Sequence, residues 1–146
     1  MRCKDVMVTL VFRCRDSDPV QKAARLMLEE QVGFIPVTDE TGRLAGVITD
    51  RDLALRVLAE DKPARTPIKS VMTAGGLLTC HPDDDLQALA RRMAKEKKGR
   101  AVVVEGGKVV GVISAADVAV AEGSMERAGA LMRALSRRES AIVARS

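Results

Sequence analysis

The chain has 146 residues, of which 47% are hydrophobic and 30% are charged, proportions typical of a soluble globular protein. Its two phenylalanines are its only aromatic residues, so it lacks the rings on which nucleic-acid-binding proteins stack bases. The net charge of +4 is small, and no stretch is long and apolar enough to span a bilayer. The cysteines, Cys3, Cys14 and Cys80, are widely spaced, and no signal peptide is recognisable. The sequence therefore predicts a cytoplasmic protein with reduced thiols.

No pattern in the sequence predicts catalysis or metal binding. The single histidine, His81, directly follows Cys80, and two adjacent ligands do not make a zinc site. The Gly107-Lys108 pair is not part of a phosphate-binding loop, because Val102 occupies the position of the required first glycine. With one histidine there is also no set of nucleophile, histidine and acid. We therefore expect a protein that is not an enzyme and holds no metal.

The first half of the chain predicts a helix, a hairpin and a second helix. Asp18 and Pro19 are a typical N-cap and first helical residue, and apolar residues recur at helical spacing as far as Leu28. Pro36 suggests that the next strand lies at a sheet edge or is only beginning. The predicted elements, in order, are a helix that starts at 19 and is ended by Gly33, a strand at 34–37, a turn at 39–42, a strand at 44–48, a helix at 51–59 and a proline-containing linker at 60–67.

The second half repeats this order with an offset of 65 or 66 residues. A short lead-in ending in Val-Met precedes both halves, and the turn of the second hairpin is one residue shorter. The predicted elements are a helix starting at Asp84-Asp85, a strand at 101–104, a turn at 105–107 and a strand at 109–113. A period of this length is too long for a solenoid. It indicates a duplicated unit whose two copies pack about a pseudo-twofold axis.

One heptapeptide occurs in each half, at residues 46–52 and 111–117. The first copy reads Gly-Val-Ile-Thr-Asp-Arg-Asp and the second Gly-Val-Ile-Ser-Ala-Ala-Asp. Each predicts a buried strand that runs into a helix, with a hydroxyl residue at the N-cap and a carboxylate three residues later. A carboxylate accepts hydrogen bonds from a ribose diol, and a helix start favours phosphate. The alternative interpretation is a capping box, in which these side chains satisfy only backbone amides.

Residues 124–146 lie outside the duplication and predict a further helix. Ser124 is a suitable cap, and Met125, Ala128, Met132, Leu135 and Ile142 fall near one face with Leu131 beside them. Two interpretations remain open. The helix either folds back on its own domain or packs on another subunit or partner.

The ensemble of these features resembles a tandem pair of cystathionine-β-synthase (CBS) domains, also called a Bateman module. The features are the Val-Met lead-in, the Ile-Pro-Val strand and the Gly-Val-Ile-Thr-Asp-Arg-Asp-Leu terminus, and the resemblance covers roughly residues 3–121. It implies an α/β (α+β) fold of two β-α-β-β-α repeats, at 1–62 and 63–123, with a helical extension at 124–146. The second copy departs from the family pattern at Val102, Ser114 and Ala116.

The resemblance implies adenosine-containing ligands, namely AMP, ADP, ATP or S-adenosylmethionine, in clefts between the two repeats. It assigns Thr49 and Asp52 to one ribose and Ser114 and Asp117 to the other. It assigns the adenine pocket to Val32, Gly33, Ile35 and Pro36, with Leu78 contributing from the second lead-in. It assigns phosphate contacts to Arg51, Lys98 and Arg100. No further cofactor is implied, apart from Mg²⁺ accompanying a phosphate-rich ligand.

The resemblance also implies a regulatory sensor of cellular energy state that acts on a separate protein, and a homodimer formed through the CBS helices. Two other functions remain open. One is a structural or protein-interaction module without ligand, and the other is a weak nucleic-acid binder that uses the basic runs near residues 91–100 and 133–138. We expect no membrane partner.

Overall fold

The computed structural model describes residues 1–123 and 125–144, and the side chains of the last helix as far as residue 136. The strands are β1 (Cys14–Arg15), β2 (Phe34–Thr38), β3 (Leu44–Thr49), β4 (Thr79–Cys80), β5 (Arg100–Glu105) and β6 (Lys108–Ser114). The helices are α1 (Val20–Glu30), α2 (Asp50–Asp52, continued as a π-helix over Leu53–Leu58), α3 (Leu86–Glu96), α4 (Ala115–Glu122) and α5 (Met125–Ala144). Single 3₁₀ turns lie at Cys3–Asp5 and Ile68–Ser70. The predicted β-α-β-β-α order is confirmed in both repeats, and the fold is mixed α+β.

The chain forms two compact units whose composition differs from the order of the repeats. The first unit contains Leu10–Leu77 with Gly106–Val109. The second contains Met1–Thr9, Leu78–Glu105 and the described residues from Val110 onward. Each unit therefore includes the lead-in that the sequence assigns to the other repeat. The boundaries predicted at 62/63 and 123/124 concern the sequence repeats, and they stay a prediction.

The first unit is built on a three-stranded sheet with the order β1-β2-β3, in which β1 runs parallel and β3 antiparallel to β2. Pro36 thus lies on the central strand, which corrects the expectation of an edge strand. β1 pairs only with Val37 and Thr38. The sheet therefore needs no amide hydrogen bond from Pro36 to β1, and proline is tolerated on the central strand. The core beneath this sheet includes Ile35, Ile48 and Ile68.

The N-cap predicted at Asp18 is wrong. Helix α1 begins one residue later, with Pro19 in extended conformation at the cap and no side-chain bond. The Asp18 carboxylate instead accepts the Arg15 amide at 2.8 Å. The first amides of the helix, those of Val20 and Gln21, donate to backbone carbonyls of residues 66 and 64, so backbone from the linker caps this helix.

The second unit has the corresponding sheet, with the order β4-β5-β6 and β4 parallel to β5. Helix α3 begins as predicted, with the Asp85 carboxylate accepting the Ala88 amide at 3.0 Å. The core of this unit includes Leu89, Met93 and Ile113.

Helix α5 folds back on the second unit and packs on α4 and α3, which favours the first of the two interpretations for this segment. Among its described side chains Leu131 is buried and Leu135 packs against the core, both as predicted. Met125, at the start of the predicted face, is 92% exposed and does not pack. Ser124, which was predicted to cap the helix, and the side chain of Ile142 lie outside the described residues.

Each lead-in approaches a heptapeptide strand closely enough to exclude a side chain. Val47 and Thr73 exchange two backbone hydrogen bonds of 2.9 Å, and Val8 and Val112 do the same at 2.9 and 3.1 Å. A Cβ built on Gly46 would lie 2.7 Å from the carbonyl oxygen of Thr73. The first heptapeptide therefore begins with glycine because another backbone passes directly over it, whereas at Gly111 the Met7 side chain occupies that space.

We predict that Gly46→Ala destabilises the protein by about 1–3 kcal/mol, the usual cost of overpacking. The clash is with backbone, which cannot rotate away. At Gly111 the nearest atom is the Sδ of Met7, at 2.8 Å, so the cost of Gly111→Ala should be smaller. The measurement is the free energy of unfolding in urea.

Gly75→Ala is the matched control, because a Cβ at this position meets no atom within 4 Å. Its stability should be unchanged or slightly raised. Equal stability of the Gly46 and Gly75 variants would contradict the prediction.

Candidate functional site

The first heptapeptide forms a capping box where β3 ends and α2 begins. Thr49 is the N-cap in extended conformation, and its Oγ1 accepts the Asp52 amide at 3.1 Å. The Thr49 amide donates to Asp52 Oδ2 at 3.0 Å. The Asp52 side chain is buried, with 7% of the residue exposed. The interpretation of this motif as a cap is confirmed, and the cap fixes the orientation of the carboxylate.

The second heptapeptide forms the same box between β6 and α4. Ser114 Oγ accepts the Asp117 amide at 3.1 Å, and the Ser114 amide donates to Asp117 Oδ2 at 2.9 Å. Asp117 remains partly exposed. The exchange of threonine for serine thus preserves the geometry of the hydroxyl and the carboxylate.

Two residues that the sequence analysis missed contact Asp52. The Thr73 hydroxyl donates to Asp52, with Oγ1 at 3.2 Å from Oδ1 and 3.4 Å from Oδ2. Arg56 Nε lies 3.7 Å from Asp52 Oδ1. The same guanidinium donates to the carbonyls of Val71 and Met72, at 3.3 and 3.2 Å. Arg56 and Thr73 therefore link the carboxylate to the lead-in of the second repeat.

The residues predicted to line the adenine pocket divide into exposed and buried positions. Val32 and Gly33 are partly exposed, and the Asp50 amide donates to the Gly33 carbonyl at 3.1 Å, which places them beside the start of α2. Ile35 has no exposed surface and belongs to the first core, and Pro36 is buried on the same strand. Their side chains support the sheet, and the role assigned to them in a pocket stays a prediction.

Leu78, which was also predicted to line the pocket, is buried in the core of the second unit, with 3% of its surface exposed. The Ala115 amide donates to the Gly99 carbonyl at 2.9 Å, as the Asp50 amide does to Gly33. Each heptapeptide is therefore held against the start of its neighbouring strand by an equivalent bond.

The three predicted phosphate contacts are basic side chains with accessible surface. Arg51 is exposed in the first turn of α2, in the first unit. Lys98 is partly exposed and Arg100 is exposed, both in the second unit. Arg100 Nη1 donates to the Gly99 carbonyl at 3.2 Å, so its guanidinium folds toward the loop before β5. All three charges are available to an anion.

The three cysteines are buried, and their thiols resist ionisation. Burial raises the pKa of the Cys80 thiol to about 12 and also raises the pKa of Cys3 and Cys14. Within residues 1–123 and 125–144, no group of three or more His, Cys, Asp or Glu side chains is arranged to hold a metal ion. None of the helices over the same residues has the length and apolar character needed to cross a bilayer.

The profile of the CBS domain matches the sequence twice, over residues 3–59 and 68–123. The chain belongs to the CBS domain family. The tandem arrangement expected from the sequence is confirmed, and both capped heptapeptides lie within the matched ranges.

Three similar proteins match this chain over nearly their whole length. The CBS domain-containing protein YhcV of Bacillus subtilis is 35% identical over 133 residues, which cover 91% of this chain and 94% of YhcV. A conserved protein of Pyrococcus horikoshii has a structure with a TM-score of 0.72 and 29% identity, covering 84% of this chain and 92% of its own. The CBS domain pair of protein MJ0100, solved with 5′-methylthioadenosine and S-adenosylmethionine, has a TM-score of 0.73 and 26% identity, covering 84% and 96%.

Proposed function

We propose that this CBS pair is a regulatory module that binds an adenosine-containing ligand and modulates a separate partner protein. The observation that supports it is the duplicated capping box, which holds a carboxylate in a fixed orientation at a helix start in each unit. A related CBS pair carries 5′-methylthioadenosine and S-adenosylmethionine. AMP, ADP and ATP are the other ligands of this class that the exposed basic residues suit.

The chemistry of the site follows from these positions. Asp52 or Asp117 accepts hydrogen bonds from ribose hydroxyls, and ionised acceptors form stronger hydrogen bonds than neutral ones. The partly exposed backbone at Val32 and Gly33 offers a surface for adenine beside the first carboxylate. Arg51, Lys98 and Arg100 provide charge for phosphates or for a ligand carboxylate.

The regulatory role and a cytoplasmic location belong to the same proposal. Adenosine nucleotides report the energy state of a cell, so a module that binds them can convey that state to a partner protein. The alternatives are an interaction module without ligand and a weak nucleic-acid binder. Binding experiments with adenosine ligands separate the proposal from both.

We predict that at least one of AMP, ADP, ATP, 5′-methylthioadenosine and S-adenosylmethionine raises the Tm. A ligand at 100 times its Kd adds about 2.7 kcal/mol to the free energy of unfolding, which corresponds to several degrees. The measurement is a thermal-shift titration, with guanosine as a control for the base. If none of the five ligands shifts the Tm, the proposal is contradicted.

The double variant Asp52→Ala/Asp117→Ala tests whether the carboxylates are responsible. It should melt at a lower temperature, because each lost capping interaction costs about 1 kcal/mol. It should also lose roughly 1.5–3 kcal/mol of binding free energy at an occupied site. A lower Tm with undiminished ligand affinity would show that the carboxylates are caps only.

We predict that Arg51→Ala weakens the binding of ATP at the Thr49 and Asp52 site but has little effect on the binding of adenosine there. An arginine–phosphate pair is charge-assisted and often bidentate, and adenosine offers no phosphate. The loss should shrink at high salt, because an exposed ion pair is screened. Calorimetry at two salt concentrations measures both effects. Equal losses for ATP and adenosine would contradict a phosphate role for Arg51.

We also propose a homodimer formed through CBS helices. Support comes from Leu28 on α1 and from Leu55 and Leu58 on the π-helical segment, which are 75%, 49% and 80% exposed. Large apolar side chains that are left exposed on helices favour association. Light scattering at micromolar concentration should give twice the mass of the chain, and Leu28→Glu/Leu58→Glu should give a monomer. A monomeric mass for the unmodified protein would contradict the dimer.

A further inference from the structure

The first candidate carboxylate is already engaged at both of its oxygens. Asp52 Oδ2 accepts the Thr49 amide at 3.0 Å, as the capping box requires. Its Oδ1 receives the Thr73 hydroxyl at 3.2 Å and faces Arg56 Nε at 3.7 Å. Only 7% of the residue is exposed. A carboxylate can accept about four hydrogen bonds, but the burial of Asp52 and the donors already in place leave a ligand hydroxyl little access to it.

The second candidate carboxylate is engaged at one oxygen. Asp117 Oδ2 accepts the Ser114 amide at 2.9 Å, and within the described part of the chain Oδ1 has no hydrogen-bond or ion-pair partner. The residue is partly exposed. The acceptor that a ribose diol needs is thus open in the second unit.

The difference between the carboxylates arises from two positions that correspond in the duplication. Val8 pairs with Val112 as Thr73 pairs with Val47, so a methyl group stands where the first unit has a hydroxyl. Ala121 follows Asp117 by four residues, as Arg56 follows Asp52, so the cation is also absent. The second unit thus keeps the capping box but lacks the two additional donors that Thr73 and Arg56 supply in the first unit.

We propose that Thr73 and Arg56 determine specificity by closing Asp52 to a ribose diol, so that Ser114 and Asp117 form the tighter adenosine site. The inference rests on the function proposed above. Thr73 contributes more to this closure. Arg56 is 53% exposed at its side chain, and ion pairs with an exposed partner are weak. The Thr73 hydroxyl is partly buried, and displacing it leaves a polar group that must find a new partner.

Calorimetric titration with 5′-methylthioadenosine tests this inference, because that ligand has a ribose diol and no phosphate. Asp117→Asn should abolish the tighter binding event, and Asp52→Asn should remove only the weaker one. Thr73→Val, which copies Val8, should strengthen binding at the first site about tenfold, the factor for one charge-assisted hydrogen bond gained by the ligand.

Two further variants keep the test decisive. Thr73→Ser retains the hydroxyl and should bind like the unmodified protein, which separates the donor from a general effect on packing. Val8→Thr introduces the hydroxyl beside Asp117 and should weaken the tighter site by a similar factor. Melting temperatures of all variants, measured without ligand, identify any that do not fold. Val8→Thr tests the inference even if Thr73→Val is among them.

The titrations distinguish a wrong assignment of the tighter site from a wrong proposed function. Loss of the tighter event in Asp52→Asn, or weaker binding in Thr73→Val, would show that Thr73 prepares Asp52 for ligand and would overturn the inference. In both cases adenosine binding would still be observed. Absence of binding by the unmodified protein and by every variant would overturn the proposed function as well.

Discussion

The close pairing of each lead-in with a heptapeptide strand is the contact on which the rest of this structure depends. It requires glycine at positions 46 and 111, because another backbone or a methionine side chain occupies the space of a Cβ. It also sets the register that brings residue 73 beside one capping box and residue 8 beside strand β6 at the corresponding position. The chemical environment of each carboxylate is therefore decided by a segment distant from it in sequence.

The features predicted well from the sequence are those with local causes. Hydrophobic periodicity and polar turns are sufficient for the helices and hairpins, and a hydroxyl followed by Asp after three residues is sufficient for both capping boxes. The two-residue strands β1 and β4 give no periodic signal, and only the resemblance to CBS domains predicts them. Asp18 has the sequence pattern of an N-cap, but the first helical amides donate instead to backbone carbonyls of the linker.

The candidate site was predictable in part for the same reason. Arg56 stands four residues after Asp52, a spacing at which helical side chains meet, so its contact could have been found. Thr73 could not, because no local pattern shows that the lead-in of the second repeat joins the first unit. For Ile35 and Leu78 the sequence does not separate two roles, since a buried apolar residue gives the same signal whether it lines a pocket or fills a core.

The composition of the two units also has a consequence for folding. A single repeat with this arrangement has no lead-in of its own available for its heptapeptide strand, because that segment belongs to the other unit. Two separate copies of one repeat would complete their folds only by exchanging lead-ins, as a domain-swapped dimer does. With both repeats on one chain the exchange is intramolecular, so it does not depend on protein concentration. The two lead-ins also need not be identical, and positions 73 and 8 carry Thr and Val.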